Sequence, residues 1–364
     1  MNLFSYIIWN VSPDIFTLPI PFLDKEITLR WYGLLFASGF LISQQILYYI
    51  FKKEGKPEKD VDVLTIYMVV ATVIGARLGH VLFYEPERYL SNPIDILKIW
   101  EGGLASHGAT AGILFALWLY GRKKKPGQNY LQTLDRIVIL VALTGALIRF
   151  GNFMNSEIIG KPTNNDSGVV FARTVTEILK SDDSIKDVKY VQVDSAASKE
   201  GYMPVKMLIE FNEGENAYED YAQYVEGRVN SFLTFNPYVR EHISQTGYVD
   251  YKISQDESKN YFAIINTYAI PRHPAQLYES ISCVFLFALL LWLWIRQKEK
   301  LAEGRLFGIF LIVCFGLRFF YEFLKENQVD FENSLPLNMG QLLSIPLVLL
   351  GFYMVFRSFQ KETK

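Results

Sequence analysis

The stretch ILVALTGALIRFGNFMNSEIIG, residues 139–160, poses the question on which the fold turns. Its first ten residues are apolar enough to lie inside a lipid bilayer, and Arg149, Asn152, Asn155 and Glu157 then follow at once. Charged and amide groups are expensive at membrane depth and mark function where they occur. The stretch therefore reads as a membrane helix whose end carries a site.

Similar apolar runs recur along the 364 residues, separated by charged stretches such as KSDDSIKDVKY. Half of the chain is hydrophobic and 15% is aromatic, but this content is unevenly spread, as in a membrane protein with a soluble insert. With 36 basic and 38 acidic residues, the net charge gives no reason to expect nucleic acid as a partner. The two cysteines, Cys283 and Cys314, sit in apolar runs and can build neither a disulfide framework nor a zinc site.

Seven runs read as long enough to cross a hydrocarbon core of about 30 Å as helices, which takes about 20 residues each. They lie near 31–51, 63–84, 104–121, 133–153, 275–295, 305–324 and 337–356. Basic residues follow the first, third, fifth and last runs: Lys52, Lys53, Lys56 and Lys59; Arg122 to Lys125; Arg296, Lys298 and Lys300; Arg357, Lys361 and Lys364. By the positive-inside rule these ends are cytoplasmic. No basic n-region or small-residue cleavage site precedes the first run, so no cleaved leader is expected.

The fold class expected is a polytopic α-helical membrane protein with seven transmembrane helices, N-terminus outside and C-terminus cytoplasmic. An external head domain is inserted at 161–270, between helices 1–4 (1–160) and helices 5–7 (271–364). Within it, VKYVQV at 188, VKMLIEF at 205, YVDYKI at 248 and YFAIINTYAI at 261 read as strands, and NAYEDYAQYVEGRVNSFL as helix, giving a small α+β domain.

This orientation assigns the membrane-embedded polar groups a depth. Arg77 and His80 close the second run, His107 opens the third, and Arg149, Asn152, Asn155 and Glu157 close the fourth. Arg272 and His273 precede the fifth, while Arg318 and Glu322 end the sixth. All fall in the outer half, one layer collected by a topology argument that did not use them.

Each group has a plainer reading. Arg77 and Arg272 can snorkel to headgroups; Arg318 and Glu322, one turn apart, can form a structural pair; Asn152 and Asn155 can cap a helix. His107 differs because the glycines of WEGGLASHGATAG bare the backbone around it. Taken together the groups form a cationic, hydrogen-bonding layer suited to a phospholipid phosphate. An anionic-lipid transporter is the rival from another class, but it would place charges near the midplane and show an internal repeat. Another phospholipid headgroup enzyme is the second rival.

RFGNFMNSEIIG resembles the signature of the prolipoprotein diacylglyceryl transferase family, R-x-G-N-F-x-N-x-E-x-x-G, matching at Arg149, Gly151, Asn152, Phe153, Asn155, Glu157 and Gly160. RWYGLLF from Arg30, GARLGHVLFY from Gly75, GGLASHG from Gly102, RHPAQLYE from Arg272, EGRLFG at 303, GLRFFYEF at 316 and GQLLSIP at 340 follow in order. Residues from about 161 to 265 carry no such motif and look longer than the family's usual head domain. Three positions depart from the pattern: Cys314 and His80 stand where tyrosine is common, and Ala109 where glycine is.

The resemblance implies transfer of the diacylglyceryl group of phosphatidylglycerol to the lipobox cysteine of a prolipoprotein, at the outer leaflet of a bacterial inner membrane, without metal or organic cofactor. It implies catalytic roles for His107, Arg149 and Arg318. Tyr32, Arg77, Asn152, Asn155, Glu157, Gly160, Gln276, Tyr278 and Glu322 are expected to bind the lipid and hold the arginines. The departing phosphodiester becomes a monoester and gains charge, which two fixed guanidinium forks would stabilise selectively in the transition state. His107 is the candidate base for a thiol whose ordinary pKa is about 8.5; the field of the arginines is the alternative activator.

Overall fold

A computed structural model describes residues 6–20, 25–98, 103, 105–165, 167–193, 201–212, 218–257, 260–326 and 335–362. Three strands, β1 (Ile7–Trp9), β2 (Asp14–Ile20) and β3 (Lys25–Arg30), precede helices α1 (Trp31–Lys53) and α2 (Lys59–Phe83). The short α3 (Pro86–Ser91) and a 3-10 turn (Pro93–Leu97) lead to α4 (Ser106–Gly121) and α5 (Tyr130–Met154). Next come β4 (Val169–Phe171), α6 (Arg173–Lys180), β5 (Ile185–Gln192), β6 (Met203–Phe211), α7 (Tyr218–Tyr224), α8 (Asn230–Phe235) and α9 (Pro237–Arg240). After β7 (Ile243–Ser244), β8 (Asp250–Gln255) and β9 (Tyr261–Ala269), the chain ends in α10 (Ala275–Gln297), α11 (Arg305–Tyr321) and α12 (Met339–Glu362).

Six helices among the described residues, namely α1, α2, α5, α10, α11 and α12, are long and apolar enough to cross a membrane. The run expected at 104–121 is helical only from Ser106 and has 16 residues, about 24 Å at 1.5 Å per residue, short of a 30 Å core. Its start is fixed by the backbone before it: Gly103 takes φ +71°, and the extended Ala105 donates its N–H to Ala76 O at 2.9 Å. The opening of that run, including Gly102, lies outside the described residues.

The chain forms two compact units, residues 1–34, 149–279 and 320–338 in the first, and 35–148, 280–319 and 339–364 in the second. In the first unit, β5, β6 and β9 run antiparallel in that order, with β7 and β8 both pairing with β9. Burial alternates along β6, so Val205, Met207 and Ile209 join Ala263 and Ile265 of β9 in one core with Val175, Leu179, Val225, Leu233 and Val239. Period-two burial of this kind is what fixes the register of a sheet. The sequence reading of these four strands and of the helical stretch between them is thus observed. Two elements it did not contain are the parallel pair β1–β4, Ile7 opposite Val169, and the β2–β3 hairpin.

The second unit is built around Leu47, Ile50 and Phe51 of α1, Leu64 of α2, Leu117 of α4, Ile137 and Ile139 of α5, Leu290 and Trp294 of α10, and Leu306 of α11. Glycines bring α2 and α4 into backbone contact, for a Cβ on Gly108 would stand 2.3 Å from Gly75 O, and one on Gly112 2.6 Å from Ala71 O. Small residues at such crossings are what membrane helices use to pack closely. At the ends that carry the basic loops, the buried Glu54 receives Arg136, Trp294 Nε1 at 2.7 Å and Lys56 at 2.6 Å. Arg136 and Lys56 hold its carboxyl below the usual range, against the burial that alone would raise it.

Candidate functional site

The signature segment belongs to the first unit, and there the opening question has a local answer. Helix α5 ends at Met154, and the backbone then reverses through left-handed conformations at Ser156 (φ 55°) and Ile158 (φ 56°). The Glu157 N–H returns to Asn152 O at 2.9 Å. Its carboxylate accepts from both asparagines, Asn152 Nδ2 on one oxygen and Asn155 Nδ2 on the other, each at 3.1 Å. Gln276 Nε2 donates to the Glu157 carbonyl. The paired amides and the glutamate therefore hold one another, and together they fix the turn that follows Arg149.

Two glycines of the signature are crossing points. A Cβ on Gly151 would lie 3.0 Å from the Tyr32 ring and 3.2 Å from Tyr32 Cα, so the start of α1 lies against the end of α5. At Gly160 a Cβ would meet His273 O at 2.5 Å and Leu324 O at 2.8 Å. The segment there pairs on both sides, Gly160 N to His273 O at 3.0 Å and Lys161 N to Leu324 O at 2.8 Å. Any side chain would separate these strands.

Arg149 stands at one end of an ordered series of charges. Its Nε lies 2.5 Å from Glu279 Oε2, and Lys325 Nζ forms an ion pair at the other Glu279 oxygen. Lys325 also reaches Glu322 Oε1 at 3.3 Å, and Asn338 Nδ2 donates to the second Glu322 oxygen at 3.2 Å. Side-chain exposure falls from 26% at Arg149 to 9% at Glu279 and 6% at Lys325 and rises again to 12% at Glu322, so the middle of the series is the most buried part. Nη1 and Nη2 of Arg149 have no other partner among the described residues. A planar two-pronged donor presented this way matches two oxygens of a phosphate.

Neither Glu279 nor Lys325 was among the expected site residues. Glu279 closes the RHPAQLYE motif, one turn after Gln276, and an acid entering an apolar run was the signal available. Lys325 directly follows the sixth apolar run, and most of the loop after it (327–334) lies outside the described residues. Arg272 does not extend toward a headgroup: it is buried, donating Nε to Glu241 O at 2.9 Å and Nη1 to Gly160 O at 3.1 Å, with Glu326 also at 2.9 Å. His273 Nδ1 lies 3.3 Å from the Tyr278 hydroxyl, and burial lowers the pKa of this imidazole.

The second unit holds the remaining three expected residues. Arg77 is buried over the Tyr89 ring, 4.7 Å from its centroid. It donates to the carbonyls of Ile96 at 2.8 Å and Asp95 at 2.5 Å, tying the 3-10 turn to the end of α2. His107, exposed in the first turn of α4, packs its ring against Phe83 at 5.2 Å and Tyr84 at 5.8 Å. Arg318 is partly buried in the last turn of α11.

A family model described as prolipoprotein diacylglyceryl transferase matches residues 19–357. The chain belongs to this family. Among its relatives, phosphatidylglycerol--prolipoprotein diacylglyceryl transferases of Tolumonas auensis and Chloroherpeton thalassium are each 35% identical to it, covering 98% of this chain and 99% and 96% of their own. One from Bacteroides fragilis is 34% identical, over 98% of this chain and 96% of its own. Coverage this complete runs through residues 161–265 too, so these relatives share the part of the chain that the family motifs leave unmatched. The family also accounts for the six apolar helices: this is a multi-pass membrane protein.

Proposed function

We propose that the chain transfers the diacylglyceryl group of phosphatidylglycerol to the lipobox cysteine of prolipoproteins. The thiolate sulfur bonds to the glyceryl carbon, the carbon–oxygen bond to the phosphate breaks, and its electron pair leaves with glycerol phosphate. The observation that carries this reading is the Arg149 fork, ion-paired with a buried carboxylate and donating no hydrogen bond from either Nη group among the described residues. A fixed guanidinium stabilises charge where it grows on the leaving phosphate, which favours the transition state over the bound lipid.

Arg318 adds a second cation to the same chemistry, and His107 accepts the thiol proton. Tyr32, Asn152, Asn155, Glu157, Gly160, Gln276, Tyr278 and Glu322 bind the headgroup or hold Arg149, and Arg77 orders the segment after α2. The setting is a bacterial inner membrane crossed seven times, with α4 as the short third span. The N-terminus and the head domain at 161–270 lie outside, the C-terminus is cytoplasmic, and the site faces the outer leaflet. Loop charges support this orientation.

The test uses purified protein, phosphatidylglycerol and a lipobox peptide bearing cysteine or serine at the acceptor position. Thioether formation with cysteine, none with serine, and stoichiometric glycerol phosphate are expected. Phosphate release without peptide modification would assign the chain to headgroup hydrolysis instead.

A further inference from the structure

We propose that Glu279, held from behind by Lys325, is the positioning residue for Arg149. The inference rests on the transfer reading above and adds to it the device that aims the catalytic guanidinium. Glu279 and Lys325 are both nearly excluded from solvent, and taking an ion out of water carries a penalty of several kcal/mol. Lys325 touches two carboxylates and Glu279 two cations, so the four charges alternate and balance. Structural balance alone would be met by any one pair. The series runs from the partly exposed Asn338 and Glu322 through the more deeply buried Lys325 and Glu279 to Arg149, whose side chain is the most exposed of the four charges.

The contact at Nε gives this direction its chemical meaning. The contact is a close ion pair, and a charge held this near to a buried carboxylate limits where the planar fork of Nη1 and Nη2 can swing. Arg149 is thereby held at its inner edge and offered at its outer one. A fork that had to find its orientation as the carbon–oxygen bond broke would lose the advantage of preorganisation, and misplacement by about 1 Å can lower a rate about 10²-fold. The backbone supports the same geometry. Gly160 and Lys161 pair with the His273 and Leu324 carbonyls, joining the segment that carries Arg149 to the residues just before Glu279 and Lys325.

The experiment compares Glu279→Asp, Glu279→Gln, Lys325→Met and Lys325→Arg with the parent in detergent, together with Arg149→Lys and its double variant with Glu279→Asp. Turnover at saturating phosphatidylglycerol, KM for that lipid, thermal stability and binding of glycerol 1-phosphate are measured. Glu279→Asp keeps the charge and withdraws the carboxylate by one methylene. It should lower turnover about 10- to 100-fold with KM changed less than about threefold, the pattern of an interaction expressed in the transition state. It should also weaken glycerol 1-phosphate binding about tenfold.

Lys325→Met should follow Glu279→Asp, and Lys325→Arg should restore turnover to near the parent. The double variant should be no slower than Arg149→Lys, since a lysine has no fork to aim. Losses that multiply in the double, or a Glu279→Asp defect in KM alone, would overturn the proposal. Were Glu279 only a charge balance, Glu279→Gln would bind glycerol 1-phosphate more tightly and keep its turnover, which also counts against positioning. If Glu279→Asp does not fold, the Lys325 pair decides in the same way. Glycerol 1-phosphate binding does not depend on transfer, so a parent that binds it but modifies no peptide would sink the transfer reading and leave this one open to the same titration.

Discussion

At the scale of single residues, Arg149, Arg318, His107 and His242 each have a property that a substitution can expose. Lysine at 149 or 318 keeps a charge but loses the planar fork, so Arg149→Lys and Arg318→Lys should retain phosphatidylglycerol binding and lose most turnover, while glutamine should lose both. Kinetics at saturating lipid check this, and near-parent transfer by either lysine variant would make that arginine a mere anchor. If His107 accepts the thiol proton, His107→Asn should depress turnover far more at pH 6 than at pH 9, where thiolate forms unaided; such bases contribute about 10² to 10⁴-fold. Equal losses at the two pH values would return His107 to its ring contacts with Phe83 and Tyr84. His242 gives a stability prediction. It is buried in the segment 161–270 near Arg272, and burial, then Arg272, lowers its pKa from 6.5 to about 4. The folded form thus refuses a proton that the unfolded chain accepts. Stability should be fully present above pH 6.5 and decline toward pH 4, by up to about 1.4 kcal/mol per pH unit. Urea titrations of parent and His242→Gln should show this slope in the parent and a shallower one in the variant; identical slopes would dismiss the histidine. The signature residues were legible because each is a polar group against an apolar background. Glu279 and Lys325 were not, because a single charge where a membrane run begins or ends looks like the boundary itself.

At the scale of elements, hydropathy located every long helix, and alternation located β5, β6, β8 and β9. It missed β1 and β4, whose pairing joins Ile7 to Val169 across most of the first half of the chain. Three-residue strands have no period to read, and nothing local announces a partner so distant. The start of α4 was misjudged for a related reason: Leu104 and Ala105 are apolar, but Ala105 spends its N–H on Ala76 instead of on a helix of its own. Glycine crossings give the element-scale prediction. Gly108→Ala drives a methyl toward the Gly75 carbonyl, and Gly160→Ala drives one toward the His273 and Leu324 carbonyls, where backbone must move. Each should destabilise by about 1–3 kcal/mol or more, seen as a lowered melting temperature in detergent. Gly33→Ala, in the first turn of α1 with nothing within 4 Å of the new methyl, is the control and should be neutral or slightly stabilising. A Gly108→Ala protein that melts with the control would mean that α2 and α4 can part without penalty.

At the scale of the whole molecule, the loop charges predict that a reporter fused after Lys364 is cytoplasmic and one inserted at Ser195, outside the described residues, is external. Both reporters on one side would remove the ground for the seven-span topology. The charge series around Arg149 bears on a further matter, the order in which this protein is made. Arg149, Glu279 and Lys325 lie far apart in sequence, and the carboxylate and the lysine that complete the series emerge from the ribosome long after the arginine does. At about 5–20 residues per second, the delay to Lys325 is on the order of ten seconds. Until Glu279 is made, Arg149 lies near the end of a finished apolar helix with neither of its later neighbours yet synthesised. Membrane insertion must therefore tolerate a solitary guanidinium at the rim of the fourth apolar run, and the catalytic geometry can be acquired only after the sixth has been delivered. Biogenesis thus ends with the same contact that readies the protein for its substrate.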